Sequence, residues 1–222
     1  MNRWDIINLF IEKNNYKSYL EIGYYKGWSF DQIFCEKKLA VDPNPCKNSW
    51  QETYPYGVSF EDSGLIYKQT SDDFFNLWRG SKWDIVFIDG LHEAKQVEKD
   101  IMNSLNHLSP GGTIVLHDCN PPEYLHTTTG INGCWTGDAY KAWVKFRYEH
   151  PEYITYTVDT DWGVGVIETP YEIYSNDGVG KLTKILDWQE FDKERKELLN
   201  LIPVEEFKTK MNERTTDNYS TT

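Results

Sequence analysis

At 222 residues the chain suits one α/β domain with additions, long enough to bury a core without staples. A formal net charge of −12 argues against a general nucleic-acid or anionic-membrane binder, and no apolar run reaches the ~20 residues of a bilayer span. Cys35, Cys46, Cys119 and Cys134 form no Cys-x-x-Cys pair, so neither a disulfide scaffold nor a structural zinc is signalled, and an amphipathic N-terminus predicts a cytoplasmic protein.

In chain order, Trp4, Ile7, Phe10 and Ile11 recur at helical spacing and predict a helix over Arg3–Lys13. Tyr19, Leu20 and Ile22 then form a strand interrupted by Glu21. It breaks into Gly23-x-x-x-Gly27, with a helix expected to start at Ser29. Strand, glycine turn and helix start form a cradle for a charged, nucleoside-bearing ligand, although the Gly-x-Gly-x-x-Gly dinucleotide signature is absent because Tyr25 holds its middle position. Leu39–Val41 ends in Asp42-Pro-Asn-Pro, and Leu65–Gln69 runs into a helix start at Ser71 or Asp72. Asp84–Asp89 brackets apolar residues with carboxylates, as in a strand buried on both faces. A helix over Glu93–Asn106 precedes a Ser109-Pro-Gly-Gly turn and a strand over Thr113–His117. Alternating strands and helices predict a mostly parallel sheet with right-handed crossovers.

After His117 comes a long loop, Cys119–Gly137, read either as a substrate lid or as a connector. Asp138 is expected to cap a helix through about His150, and Tyr153–Val158 with Gly163–Glu168 to form an antiparallel hairpin whose Asp161 and Trp162 reach the same rim or simply make the turn. A helix is expected over Asp187–Ile202 and disorder over Thr215–Thr222. The expected organisation is an N-terminal helix (1–17), a catalytic domain (18–169) and a helical extension (170–222).

Open parallel sheets bind ligands beyond the carboxyl ends of their strands. Here those ends carry Glu21 and Gly23, Asp42 and Asn44, Ser71 and Asp72, Asp89 and His92, and His117 and Asp118. A carboxylate about 20 residues beyond a glycine turn suits ribose hydroxyls, which favours Asp42 for that part.

Four stretches, Leu20-Glu-Ile-Gly-Tyr-Tyr-Lys-Gly-Trp-Ser29, Val41-Asp-Pro-Asn-Pro45, Phe87-Ile-Asp-Gly-Leu-His92 and Leu108-Ser-Pro-Gly-Gly-Thr-Ile-Val-Leu-His-Asp118, resemble the class I S-adenosylmethionine-dependent methyltransferases. The resemblance is to the type 24 branch, with catechol-type and sugar O-methyltransferases. It implies a Rossmann-like α/β fold with a seven-stranded, mostly parallel sheet, an antiparallel last strand and helices on both faces. It places Gly23, Tyr25, Gly27 and Ser29 around the methionine end of the cofactor with Ser29 near its carboxylate, Asp42 at the ribose with Asn44 beside it, and Ser71 and Asp72 at the edge of the adenine, and it counts Glu21 and Asp89 among the cofactor-binding residues. In metal-dependent relatives, carboxylates at the positions of Asp89 and Asp118 hold magnesium. The next position is Cys119 rather than Asn or Asp, and cysteine is a poor magnesium ligand, so the metal stays open. His92 stands where a lysine base is found and is read as base or ligand, with His117 a second candidate. The implied reaction is O-methylation of a small acceptor such as a sugar, without nucleic acid, with a homo-oligomer allowed. N-methylation of an amino sugar or similar amine, and a non-catalytic cofactor-binding scaffold, are the alternatives.

Overall fold

A computed structural model describes residues 1–46, 65–170 and 187–214. The expected disorder over 215–222 and residues 171–186 of the expected helical extension lie outside these residues. The chain opens with α1 (Arg3–Asn14), β1 (Ser18–Ile22), β2 (Lys37–Val41), β3 (Leu65–Tyr67), α2 (Ser71–Leu77), β4 (Trp83–Ile88), α3 (Ala94–Asn106) and β5 (Leu108–Leu116). It continues through α4 (Tyr124–Thr128), α5 (Ala139–Glu149), β6 (Ile154–Val158), β7 (Val164–Glu168), α6 (Trp188–Leu198), β8 (Leu201–Ile202) and α7 (Val204–Asn212).

The strands form one sheet in the order β3-β2-β1-β4-β5-β7-β6-β8. β1 to β5 pair in parallel, and β7 runs antiparallel to both β5 and β6. An eighth strand, β8, joins the expected seven by pairing in parallel with β6, Thr157 opposite Leu201 and Val158 opposite Ile202. The Ser109-Pro-Gly-Gly turn lies inside β5 as an irregularity: Trp83 pairs with Leu108, yet Ile85 already pairs with Thr113.

Side chains of each strand alternate between two apolar layers. Leu20, Ile22, Val86 and Ile88 face α2, α3, α5 and α6 through Phe74, Ile101, Trp143 and Phe191. Tyr19, Ile85, Phe87 and Val115 face α1 and α7 through Ile6, Phe10, Phe207 and Met211. No described helix is long and apolar enough to cross a membrane.

The helix expected from Ser29 is a correction: only a 3₁₀ turn, Phe30–Gln32, forms there. Coiled into a helix, Phe30–Glu36 would cover only ~10 Å, whereas returning along a strand of five residues requires ~17 Å. α1 occupies that face instead, and Asn8 clamps the extended segment, donating to Gln32 O at 2.8 Å and accepting from Phe34 N–H at 2.9 Å. The expected helix over Asp187–Ile202 likewise stops at Leu198. Asn200 turns left-handed (φ 45), β8 follows, and Pro203 leads into α7.

Candidate active site

The carboxyl ends of β1, β2, β4 and β5 and the start of α2 open onto one cavity of about 950 Å³. Its wall includes Glu21, Gly23, Tyr25, Ser29, Asp42, Ser71, Asp72, Asp89, His92, His117 and Asp118. Gly27 and Asn44 do not line it. Gly27 (φ 77) gives its N–H to Tyr24 O at 2.8 Å, and Asn44 gives its N–H to Asp42 Oδ1 at 2.7 Å.

The turn after β1 depends on two backbone features. A Cβ on Gly23 (φ 95) would lie 2.1 Å from the carbonyl oxygen of Asp89, so β1 and β4 can end this close only with glycine there. Tyr25 is left-handed (φ 47) and held by its N–H to Asp42 Oδ2 at 2.7 Å. Asp42 thereby ties the turn to the end of β2 and keeps further lone pairs for hydroxyl donors. Glu21 is buried and takes the Tyr19 hydroxyl hydrogen bond; burial pushes its carboxyl up to about 8 despite that bond.

Beside this turn lies a centre of carboxylates and histidines. His92 sets Nε2 3.2 Å from Asp89 Oδ1 and Nδ1 3.1 Å from Asp118 Oδ2. His117 sets Nδ1 3.3 Å from both Asp89 and Asp118, and Nε2 3.4 Å from Asp161. Arg3, from α1, closes the ring: it reaches Asp161 at 3.0 Å and Ser29 Oγ at 2.7 Å, with Asp89 at 3.7 Å. Burial alone would lower the His92 pKa, but the hydrogen bond to Asp89 and the charges of Asp118 and Asp89 hold it up at about 9. Against burial, the charges of Asp89 and Asp118 also hold His117 well above its ordinary value. Asp89 and Asp161 are correspondingly held well below the carboxylate range by His117. The carboxylates thus favour the charged form of both imidazoles, and a cation held in the centre would replace the His92 proton.

Cys119 stands apart from this centre. Its thiol is buried beside Gly165, and burial pushes its pKa far up. His92 supplies the third donor instead: one atom each from Asp89, His92 and Asp118 lies within 4.8 Å of the others. Two carboxylates and an imidazole fit a divalent ion, with a donor set better suited to manganese or zinc than to the all-oxygen preference of magnesium.

The Cys119–Gly137 loop folds back over this centre through α4 and an Ile131–Cys134 bridge. Trp135 stacks on His92 with ring centroids 5.5 Å apart, and its carbonyl oxygen lies 2.9 Å from His92 Nδ1. Asp138 corrects its expected role. It stands at the N-cap position of α5, but its side chain caps no N–H of that helix and instead accepts from Ala94 N–H at 2.7 Å, capping α3 and fixing the segment that carries His92.

Arg3, Gln96 and Asp100 line the cavity without having been singled out from the sequence, and Trp135 comes from the loop read as lid or connector. Asp100 alone carried a usable signal, a charged residue between the core positions Val97 and Ile101.

Sheet order, glycine turn and acidic strand ends together define a class I methyltransferase. Residues 20–119 match the type 24 family model described as a methyltransferase domain, and the protein is a methyltransferase. No protein of curated function matches the chain. Among solved structures, an O-methyltransferase from Bacillus cereus in complex with S-adenosylhomocysteine is similar at 12% identity and a TM-score of 0.53, over 75% of this chain and 80% of that one. An S-adenosylhomocysteine-bound methyltransferase from Podospora anserina reaches 19% and 0.51, over 72% and 75%. An O-methyltransferase of tomaymycin synthesis from Streptomyces achromogenes, in complex with S-adenosylmethionine, gives 12% and 0.50, over 76% and 79%. At such identities these likenesses bear on the fold.

Proposed function

We propose that the protein methylates a hydroxyl of a small acceptor, a sugar or related polyol, from S-adenosylmethionine in the cytoplasm. The observation that carries this is the Asp89–His92–Asp118 cluster set beside the glycine turn. The cavity volume suits a ligand of that size. Gly23, Tyr25 and Ser29 border the methionine end, Asp42 takes the ribose hydroxyls, and Ser71 and Asp72 border the base. Bound there, the cofactor supplies a methyl group on a cationic sulfur, a charge that Asp89 and its neighbours favour.

Asp89, His92 and Asp118 would hold a divalent ion, which when bound lowers the pKa of an acceptor hydroxyl. The chain aligns that oxygen with the methyl carbon for in-line displacement, and the hydroxyl proton leaves to solvent at the cavity mouth, because Asp118 and His92 are engaged as donors to the ion. Trp135, 41% exposed with its ring face against His92, and the exposed Trp28 give the mouth apolar walls for the C–H face of a sugar.

Calorimetry with S-adenosylhomocysteine, paired with a methyl-transfer assay over a panel of sugars and amines, tests this. Asp42→Ala is expected to abolish ligand binding. Asp118→Asn is expected to leave binding within about threefold and to cut turnover ~100-fold or more, as is a chelator. Turnover of an amine that survives chelation would return the N-methylation alternative, and tight binding without turnover would return the scaffold.

A further inference from the structure

Gln96 lies near the start of α3, on the cavity wall beside Ser71 and Asp72. Its Nε2 stands 3.2 Å from Ser71 Oγ, 3.1 Å from Asp72 Oδ1 and 3.1 Å from Asp100 Oδ1. Carboxylate oxygens only accept, so the amide turned over would set its own carbonyl oxygen against both aspartates. The orientation is therefore decided by chemistry. The groups that decide it are themselves held: Asp72 by Lys99 Nζ at 2.8 Å, and Asp100 by near-complete burial at 1% exposure. With Nε2 committed, Gln96 Oε1 accepts no hydrogen bond from any described residue. The cavity wall thus carries a fixed acceptor where the base is expected.

We propose that Gln96 Oε1 reads the 6-amino group of the cofactor's adenine, with Asp72 and Asp100 as positioning residues that keep the amide from turning. This rests on the cavity being the S-adenosylmethionine site. A 6-amino group donates to Oε1, whereas the 6-oxo group of hypoxanthine sets oxygen against oxygen. Discrimination by an acceptor that the bound base itself covers is steep, because the wrong ligand leaves both groups unsatisfied.

The test compares S-adenosylhomocysteine with S-inosylhomocysteine by calorimetry on the full chain. Wild-type protein is expected to favour the adenine ligand ~100-fold or more. Gln96→Leu is expected to bring that ratio below ~10, because the acceptor is gone. The double variant Asp72→Asn/Asp100→Asn is expected to lower it at least ~10-fold while leaving Gln96 in place, since neither amide forbids the turned-over arrangement. Both ligands meet the same folded fraction, so the ratio is insensitive to partial loss of stability. A ratio unchanged in both variants overturns the proposal and leaves Asp100 a structural carboxylate. Failure of wild-type protein to bind either ligand overturns the cofactor assignment along with it, which distinguishes the two failures.

Discussion

Glu21 shares a strand face with Tyr19, is 1% exposed and carries a carboxyl that burial pushes up to about 8. In an unfolded chain the same group titrates near ~4.3. Between those values the native state holds a proton that the unfolded state has released, so stability falls as pH rises. The slope approaches ~1.4 kcal/mol per pH unit, which makes ~2 kcal/mol between pH 5 and 6.5. His92 and His117, raised above their ordinary values, stabilise fully below ~6.5 and lose that contribution only as pH climbs through their native pKa, so they are silent in this window. Asp100, which burial pushes up to about 6, adds to the decline in the same sense. Glu21→Gln keeps the shape and an acceptor for Tyr19, and its urea-unfolding free energy is expected to decline less over this interval by ~2 kcal/mol. Equal declines in the two proteins would show that Glu21 titrates normally in the fold.

At the scale of elements, α1 matters more than its position ahead of the first strand suggests. It fills the face left by the missing crossover helix, and its Arg3 completes the acid–histidine centre from outside the sheet. The Asp161 carboxylate takes both the Arg3 side chain at 3.0 Å and the Arg3 backbone N–H at 2.8 Å, with both side chains 13% exposed. Removing one partner of so buried a pair is costly: Arg3→Met is expected to destabilise by ~3 kcal/mol. A double-mutant cycle with Asp161→Asn should return a coupling of ~1–3 kcal/mol in chemical denaturation; additive effects would mean that α1 is held by its apolar face alone. Much of this arrangement was legible in the residues. Ile22, Val41, Ile88 and Leu116 end strands buried on both faces, and the polar residues that follow them, Asn44 excepted, line one cavity. What could not be read was tertiary. Ser29-Phe-Asp-Gln has the local look of a helix start, but the distance back along the sheet forbids one. Asp138 precedes α5 in sequence yet caps α3 in space, and nothing local to Arg3 says that its guanidinium meets Asp161, 158 residues away.

For the whole molecule, the segment beyond the hairpin closes the fold rather than trailing from it. β8 is only two residues long and shows no period of its own, but it extends the sheet by pairing with β6. α7 then crosses to the other face, where Phe207 is fully buried with its ring 5.9 Å from that of Phe10 and 6.5 Å from that of Tyr156. Arg214 pairs with Glu168 at the end of β7, and its guanidinium lies 5.0 Å over the Phe10 ring. One apolar layer therefore joins the first helix, the middle of the sheet and the last helix. Phe207→Ala removes the ring that bridges them and is expected to cost ~3–5 kcal/mol. In a chain of this length that corresponds to a fall in Tm of roughly 10 °C. Calorimetry should still show one transition, moved as a whole, because the layer has no boundary at which the C-terminal helix could melt alone. An unshifted main transition preceded by a smaller one would instead make α7 an independently melting attachment, and would leave α1 and the sheet to hold the active site by themselves.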